Sequence, residues 1–365
     1  MKIGVVTIFD CVNNSGAFLQ AYALKFYLEE QGHTVYHIVK DKKDNFVNSN
    51  IRRLVHSYSP SGSFIIKSAK RAIKVSLKFL ELKYKSIVCS SEFKKMNTLT
   101  VEEVNKVNLD LVICGSDEIW NLNNEDLGDE FYFAQNIKSK KKITYAISCG
   151  NSTAEQFKEA VYPVDALPKF DKILVRDEQT KRVIEEITEA VPDIVCDPTI
   201  LVDTDLLRQE ARTIRKKYMI VYSYGVCGNI KEHIRRYANE KGLTLVSLVM
   251  EQNFTDKYIF TTPRKFIDVI CNAECVYTST LHGSIFTMLT HKKGVFTALM
   301  PKVRDIIKRF KQEDRILPDD ISYEEFVKKI ETPVNIDIIE TAKNELKENG
   351  KCKLNKILEE IQNGN

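Results

Sequence analysis

The sequence predicts an α/β protein built from two consecutive Rossmann-like domains. Three observations carry that expectation. Short apolar runs alternate with helical patterns along the chain, as parallel strands and their crossover helices do. The alternation pauses around Pro163 and Pro168 and then restarts. The 365 residues suit two domains at roughly 100–200 residues each. The expected division is an N-terminal domain over 1–166, a C-terminal domain over 167–335 and a C-terminal helix over 336–365. No short internal repeat interrupts this pattern.

The elements follow in order. Residues 3–8 read as a buried strand, and a polar loop leads from it to Gly16. Ala17, Ala21, Leu24 and Leu28 then lie on one helical face, and Gly32 ends the helix. Residues 35–39 are a second strand, which completes a βαβ opening. Residues 41–60 are polar and read as a loop, and 64–85 as a helix of interleaved apolar and basic residues. Strands at 109–114 and 143–148 end in Gly115 and Gly150, with Pro163 and Pro168 expected at the crossing between domains. The second half reads as strands at 172–175, 194–196, 219–223, 243–249, 275–278 and 294–298. Helices are expected at 178–187, after Ile230, from Pro263, and after Gly283.

Composition removes several classes. Hydrophobic residues make up 43% and charged residues 28%, which argues against disorder and coiled coil for the whole chain. No apolar run approaches the roughly 18 residues of a membrane helix, and the opening residues do not read as a signal peptide. The nine cysteines are odd in number and scattered. They suit reduced thiols in a cytoplasm. Cys271 and Cys275 lack a neighbouring Cys/His pair, so no metal site is expected.

Ligands of open α/β sheets bind beyond the carboxyl ends of the strands, so the polar loops there are the candidate site. They hold Asn14-Ser15-Gly16, Gly115-Ser116-Asp117-Glu118, Arg176-Asp177-Glu178, Asp197-Pro198-Thr199 and Ser279-Thr280-Leu281-His282-Gly283. Each is weak alone. In this order, however, the stretch 14–24, Gly115–Asn121, Tyr145–Gly150, Val175-Arg176-Asp177, Asp197-Pro198-Thr199 and Thr278–Phe286 resemble the polysaccharide pyruvyl transferase family. The Ser-x-x-His-Gly turn at 279–283 is the most specific of these. Arg304 and Asp314-Arg315 also fall where that pattern puts them. Ser15 stands where the family usually has an aromatic residue, and Glu118 where it usually has Gln.

The resemblance implies transfer of the pyruvyl group of phosphoenolpyruvate to a sugar, forming a cyclic ketal, on a two-domain GT-B-like fold whose C-terminal helix packs back on the first domain. It implies no cofactor, with phosphoenolpyruvate as a substrate. The acceptor, a sugar or lipid-linked oligosaccharide, is expected on the N-terminal side, with Asn14, Ser15, Gly16, Ser116 and Asp117 as candidates. Asp117 would either cap a helix or orient the acceptor. The donor needs fixed cations and helix N-termini for its carboxylate and phosphate. Arg176, Arg304, Ser279, Gly283 and the turn at Gly225 are the candidates there. His282, the one histidine in a strand-end motif, is the candidate for proton delivery to the vinyl carbon. Trp120 reads as core.

Net charge is +4, yet residues 51–95 hold eleven Lys/Arg against two Glu. That block reads as a solvated helix face, as packing on the N-terminal domain, or as a peripheral membrane contact through 64–85, where Ile65, Ile66, Ala69, Ile73, Leu77 and Leu80 adjoin Lys67, Lys70, Arg71, Lys74 and Lys78. No nucleic-acid motif accompanies it. The resulting expectation is a cytoplasmic protein, peripheral on the inner face of the membrane if that block binds it. Two rivals stand beside the pyruvyl transferase: a GT-B nucleotide-sugar glycosyltransferase and a non-catalytic sugar-binding protein.

Overall fold

A computed structural model of the chain describes residues 1–41 and 66–364, except 161, 212, 213, 215 and 227. In the helix that begins at Ile66, side chains are described from Ser76 onward. The loop expected over 41–60 thus lies outside the described residues from 42 on, as does most of the apolar and basic patterning of 64–75.

Each half holds a five-stranded, wholly parallel sheet. In the first the order is β3-β2-β1-β4-β5, from β1 (Lys2–Val6), β2 (Thr34–Val39), β3 (Thr98–Thr100), β4 (Leu109–Cys114) and β5 (Ser139–Thr144). In the second it is β10-β9-β8-β11-β12, from β8 (Tyr218–Tyr222), β9 (Thr244–Leu248), β10 (Lys257–Ile259), β11 (Cys275–Thr278) and β12 (Lys293–Phe296). Parallel strands are covered by helices on both faces, so the central ones are nearly continuous apolar runs, and these were the legible ones. β3 and β10 escaped the sequence reading. They are three-residue edge strands with polar residues, too short for a period to register.

β5 is set back from the expected 143–148. It begins in the lysines of 140–142 because it ends the five-stranded run, and Lys140 and Lys141 pair with Asp110 and Asp171 at its rim. Residues 145–148 instead leave the ladder. Ala146 takes a left-handed φ of 51°, and Ile147 bridges Asp117 on one side and Val175 on the other.

Two short strands, β6 (Leu174–Val175) and β7 (Asp193–Ile194), form a two-stranded ladder of their own, joined to this sheet by the single bridges Ile143–Lys172 and Ile147–Val175. Thr144 N–H donates to the Lys172 carbonyl at 3.0 Å and Arg176 N–H to that of Ile147 at 2.9 Å. Residues 172–176 are thus hydrogen-bonded to the segment that follows β5 in the first half. Pro163 and Pro168 lie in the short helical turns Tyr162–Ala166 and Leu167–Lys169 that lead into β6, where a missing N–H is harmless.

The helices that position the site are α1 (Ser15–Glu30), α2 (Ile66–Phe93), α3 (Glu178–Ile187), α4 (Pro198–Leu201), α5 (Ile230–Glu240), α6 (Pro263–Cys271), α7 (Leu281–Leu289), α8 (Pro301–Arg309), α9 (Tyr323–Glu331) and α10 (Ile336–Gln362). Helices α1, α4, α6, α7 and α10 share one apolar cluster, with Phe18, Ile200, Phe266, Ile285 and Leu354 all buried. The core is thus continuous across the two halves. α10 straps them together as expected. His291, in the turn after α7, pairs with its Glu340 at 2.8 Å, and the Tyr27 hydroxyl on α1 donates to its Asn355 at 2.7 Å. Gly350 lets α10 pass close over the first half, since a Cβ there would fall 2.7 Å from Cys196 Sγ and 2.8 Å from Tyr145 Oη.

Candidate active site

The two sheets point their carboxyl ends toward a common seam. Helix α1 starts there with Asn14 as its cap, accepting from Ala17 N–H at 3.2 Å. Helix α7 starts there from the other half, with the Thr280 hydroxyl accepting from Gly283 N–H at 3.0 Å. The two N-termini meet. A Cβ on Gly16 would sit 2.0 Å from His282 Nδ1, so only a glycine lets the imidazole lie against the first turn of α1.

On its other edge His282 faces Asp197, with Nε2 3.5 Å from Oδ2. Asp197 precedes α4 and accepts from Thr199 N–H and Oγ at 3.1 and 2.8 Å through Oδ1. Its Oδ2 is left for the seam, where Arg176 Nη1 also donates to it at 3.2 Å. Arg176 reaches the loop after β4 as well, 3.4 Å from Asp117 Oδ1. The four side chains form a buried chain of charge, with none more than about 6% exposed.

The charge states follow from these contacts. Burial pushes the Asp197 carboxyl up, but His282, Arg176 and the Thr199 hydroxyl outweigh burial and hold it well below the usual carboxylate range. Burial likewise opposes ionisation of Asp117, and Arg176, His282 and Lys302 overcome it. For Arg176 burial works against the charge, while Asp117 and Asp197 more than restore it. All three groups are therefore ionised at neutral pH. Asp117 has a left-handed φ of 73°, a conformation that costs a non-glycine residue energy and aims its carboxyl inward.

Above this network lies a cleft of about 610 Å³. Asp117 and Glu118 form its floor, and Cys11, Asn13 and Asn14 one wall. Tyr224 and residues 249–252 of the second half stand opposite, and Lys78, Glu81 and Lys85 of α2 close one side. Lys85 ties the walls together. It donates to Asn13 Oδ1 at 3.0 Å, pairs with Glu81 at 2.6 Å, and lies 5.3 and 5.1 Å from the Tyr258 and Phe260 rings. A larger hollow of about 730 Å³ runs between the β7 edge and α10, but no member of the buried network lines it.

The expected site residues separate into groups. His282, Gly16, Arg176 and Asp117 come together at the seam, and Asn14 lines the cleft. Asp117 is not a helix cap; it holds Arg176 and faces the cleft. Ser15 is buried in the first turn of α1. Ser116 is fully buried and donates to Gln20 Oε1 at 2.8 Å, while Gln20 in turn donates to Thr7 Oγ, the Ile8 carbonyl and the Ala17 carbonyl. It therefore braces the loop and cannot touch an acceptor. Gly283 is buried with its N–H held in the α7 cap. Ser279 lies beyond β11 with its hydroxyl 2.7 Å from that of Ser223. Gly225 is in an exposed turn after β8, its N–H donating to Ser223 Oγ at 3.2 Å. Arg304 points to solvent on α8, because that helix buries Val303, Ile306 and Ile307. The α8 cations that reach the site are its neighbours: Lys302 pairs with Glu118, and Arg309 donates to the carbonyls of Arg176 and Val195. Trp120 is core, stacked on Phe133 at 4.7 Å.

Comparison with known proteins agrees with this construction. The sequence model of the family described as "Polysaccharide pyruvyl transferase" matches residues 14–298. The chain belongs to the polysaccharide pyruvyl transferase family. The match begins at the cap of α1 and closes just before α8, so it takes in His282, Arg176, Asp117 and Asp197 but neither Lys302 nor Arg304. No curated protein matches the chain. Among solved structures, the α,α-trehalose 6-phosphate synthase from Burkholderia multivorans is 8% identical with a TM-score of 0.51, covering 99% of this chain and 98% of that one. The UDP-GlcNAc 2-epimerase from Neisseria meningitidis is 10% identical with a TM-score of 0.49, over 98% of this chain and 100% of that one. This family member has the GT-B fold.

Proposed function

We propose that this family member transfers the pyruvyl group of phosphoenolpyruvate to a sugar of a polysaccharide or of its lipid-linked precursor, giving a cyclic ketal. The observation that carries the reading is the Asp197–His282 pair, set where the two halves meet and joined through Arg176 to Asp117, which lines a cleft that both halves share. In this chemistry one sugar hydroxyl adds to the carbon bearing the phosphate while the methylene carbon takes up a proton. A second hydroxyl then displaces phosphate at the same carbon. The atoms balance as diol plus phosphoenolpyruvate to ketal plus phosphate.

His282 is the proposed proton donor, with the Asp197 carboxylate 3.5 Å from its Nε2 to orient the ring. Asp117 shares Arg176 with Asp197 and opens on the cleft, so it is placed to accept a proton from the attacking hydroxyl. Arg176 keeps both carboxylates ionised and close together. Lys302 is the proposed partner of the donor's anionic groups, reached when they displace Glu118. The site works in the cytoplasm on this reading, where phosphoenolpyruvate is available.

The test is incubation of the full chain with phosphoenolpyruvate and candidate glycans, read by mass spectrometry and phosphate release. The expected product gains a pyruvate and loses a water. Parallel incubations with nucleotide sugars separate a glycosyltransferase: glycosyl transfer without any ketal would overturn the reading. Binding of glycans with no turnover of either donor would make it a sugar-binding protein.

A further inference from the structure

The helix that walls the cleft has a second face on which large apolar side chains lie in water. Its inner side, through Leu82, Lys85, Cys89 and Glu92, is buried. Its outer side exposes Leu77 at 62%, Leu80 at 59%, Tyr84 at 63% and Ile87 at 67%. These four residues are spaced three, four and three apart, so they form one stripe along the helix, about 15 Å long at 1.5 Å per residue. Ile66 and Ile73 continue the same spacing in the sequence. A run of large apolar side chains in water on one helix face marks a contact surface rather than ordinary scatter.

Charge identifies what fits it. Residues 51–95 carry eleven of the chain's 54 Lys/Arg but only two of its 50 Asp/Glu. The rest of the protein therefore has 43 basic against 48 acidic residues, so the chain's net positive charge comes from the stretch that bears the stripe. Large apolar residues beside lysines, with an amphipathic tyrosine among them, are the composition of a helix that lies in a bilayer interface and meets anionic headgroups. The 3–4 spacing would also serve pairing with a second copy. That arrangement would bring two like-charged blocks together, whereas an anionic surface neutralises them. Among the described residues no helix is long and apolar enough to cross a membrane, so the contact would be peripheral.

We infer that α2 docks the protein on an anionic lipid surface, apolar stripe down, with its opposite edge presenting Lys78, Glu81 and Lys85 to the cleft. In that pose a sugar whose lipid carrier stays in the bilayer enters beside the helix. The inference deepens the proposed function and rests on it only for the lipid-linked acceptor.

The test uses the full chain with phosphatidylcholine vesicles prepared with and without phosphatidylglycerol, read by flotation. Retention is expected on the anionic vesicles at low salt and release as salt rises, since surface attraction is screened within about 10 Å at 0.1 M. Leu80→Glu combined with Ile87→Glu should cut retention by at least about tenfold through lost apolar burial. Lys83→Gln should cut it by about fivefold. Both should keep the wild-type melting temperature and turnover on a water-soluble acceptor. Absence of retention at low salt overturns the inference. So does a wild-type dimer, seen by light scattering, that the Leu80→Glu/Ile87→Glu variant splits while wild type ignores vesicles. A third overturning outcome is a large loss of stability in that variant, which would show the stripe to be packed within the protein. Failure of ketal formation with every acceptor would remove the proposed function and leave the vesicle result standing by itself.

Discussion

The seam and the outer face of α2 break the usual rule of burial in opposite directions. At the seam three charged groups and a histidine are withdrawn from water. On α2 a stripe of large apolar side chains, Leu77, Leu80, Tyr84 and Ile87, is left in it. Charges stay buried only where each has a partner, and here Arg176 is shared between two carboxylates while His282 lies against one of them. The apolar stripe has no partner among the described residues. The difference teaches that one region is complete within the chain, whereas the other is completed from outside. Departures from local rules of this kind concentrate where a protein acts.

The largest expected effect breaks the seam at its chemical end. His282→Gln should lower turnover by about 10²–10⁴-fold, the scale of a lost general acid, while phosphoenolpyruvate binding measured by calorimetry stays within a few-fold. Near-normal turnover would return His282 to a packing role and leave the comparison without its functional half.

Arg176→Met attacks the same region through its charges. It strands Asp117 and Asp197 as buried carboxylates and should cost about 3–5 kcal/mol of stability, read from urea midpoints. The pH dependence sharpens the point. Both carboxyls titrate below their ordinary range in the folded protein, so the stability they add is full above about pH 4 and is lost as pH falls toward their folded values. The deficit of Arg176→Met should therefore be largest at neutral pH and shrink in acid. A deficit independent of pH would mean that packing, not charge, holds the seam.

Gly16→Ala should be milder but informative. The new methyl must displace the His282 ring, an overpacking cost of about 1–3 kcal/mol. Turnover should fall more than stability, because the ring leaves Asp197. Equal losses in both would argue that the contact is structural alone.

The smallest effect belongs to α2. Leu77→Gln at an exposed position should change stability by less than about 0.5 kcal/mol. A loss of several times that would show the outer face to be covered, and the contrast between the two regions would disappear.

Much of the site was legible because strand-end loops carry compact signatures. The Asn14–Gly16, Asp197–Thr199 and Thr280–Gly283 segments announce helix starts through local capping, which is a short-range effect visible in any window. Asp197 itself was visible only as a marker. Its two-sided role depends on Thr199 occupying one oxygen and leaving the other for Arg176 and His282. Lys302 was passed over for Arg304 because the face a residue takes on α8 is set by Val303, Ile306 and Ile307, and the two cations are only two positions apart. Ser116 looked available as a loop hydroxyl, yet Gln20 binds it from α1. The hydrogen bonds that join 172–176 to the segment after β5 leave no trace in the sequence, since two-residue strands have no period.

By itself the sequence determined the alternation of strands and helices, the parallel character of both sheets and the order of the motifs that mark the family. Those properties follow from neighbours in the chain: apolar runs that must be buried on both faces, and caps that reach two or three residues. Only the tertiary structure decided which charges meet. Asp117 and Arg176 are 59 residues apart, and Glu118 and Lys302 are 184 apart. Long side chains carry their charge several ångströms from the backbone, so their partners are chosen by how the sheets and helices pack, which no local pattern encodes.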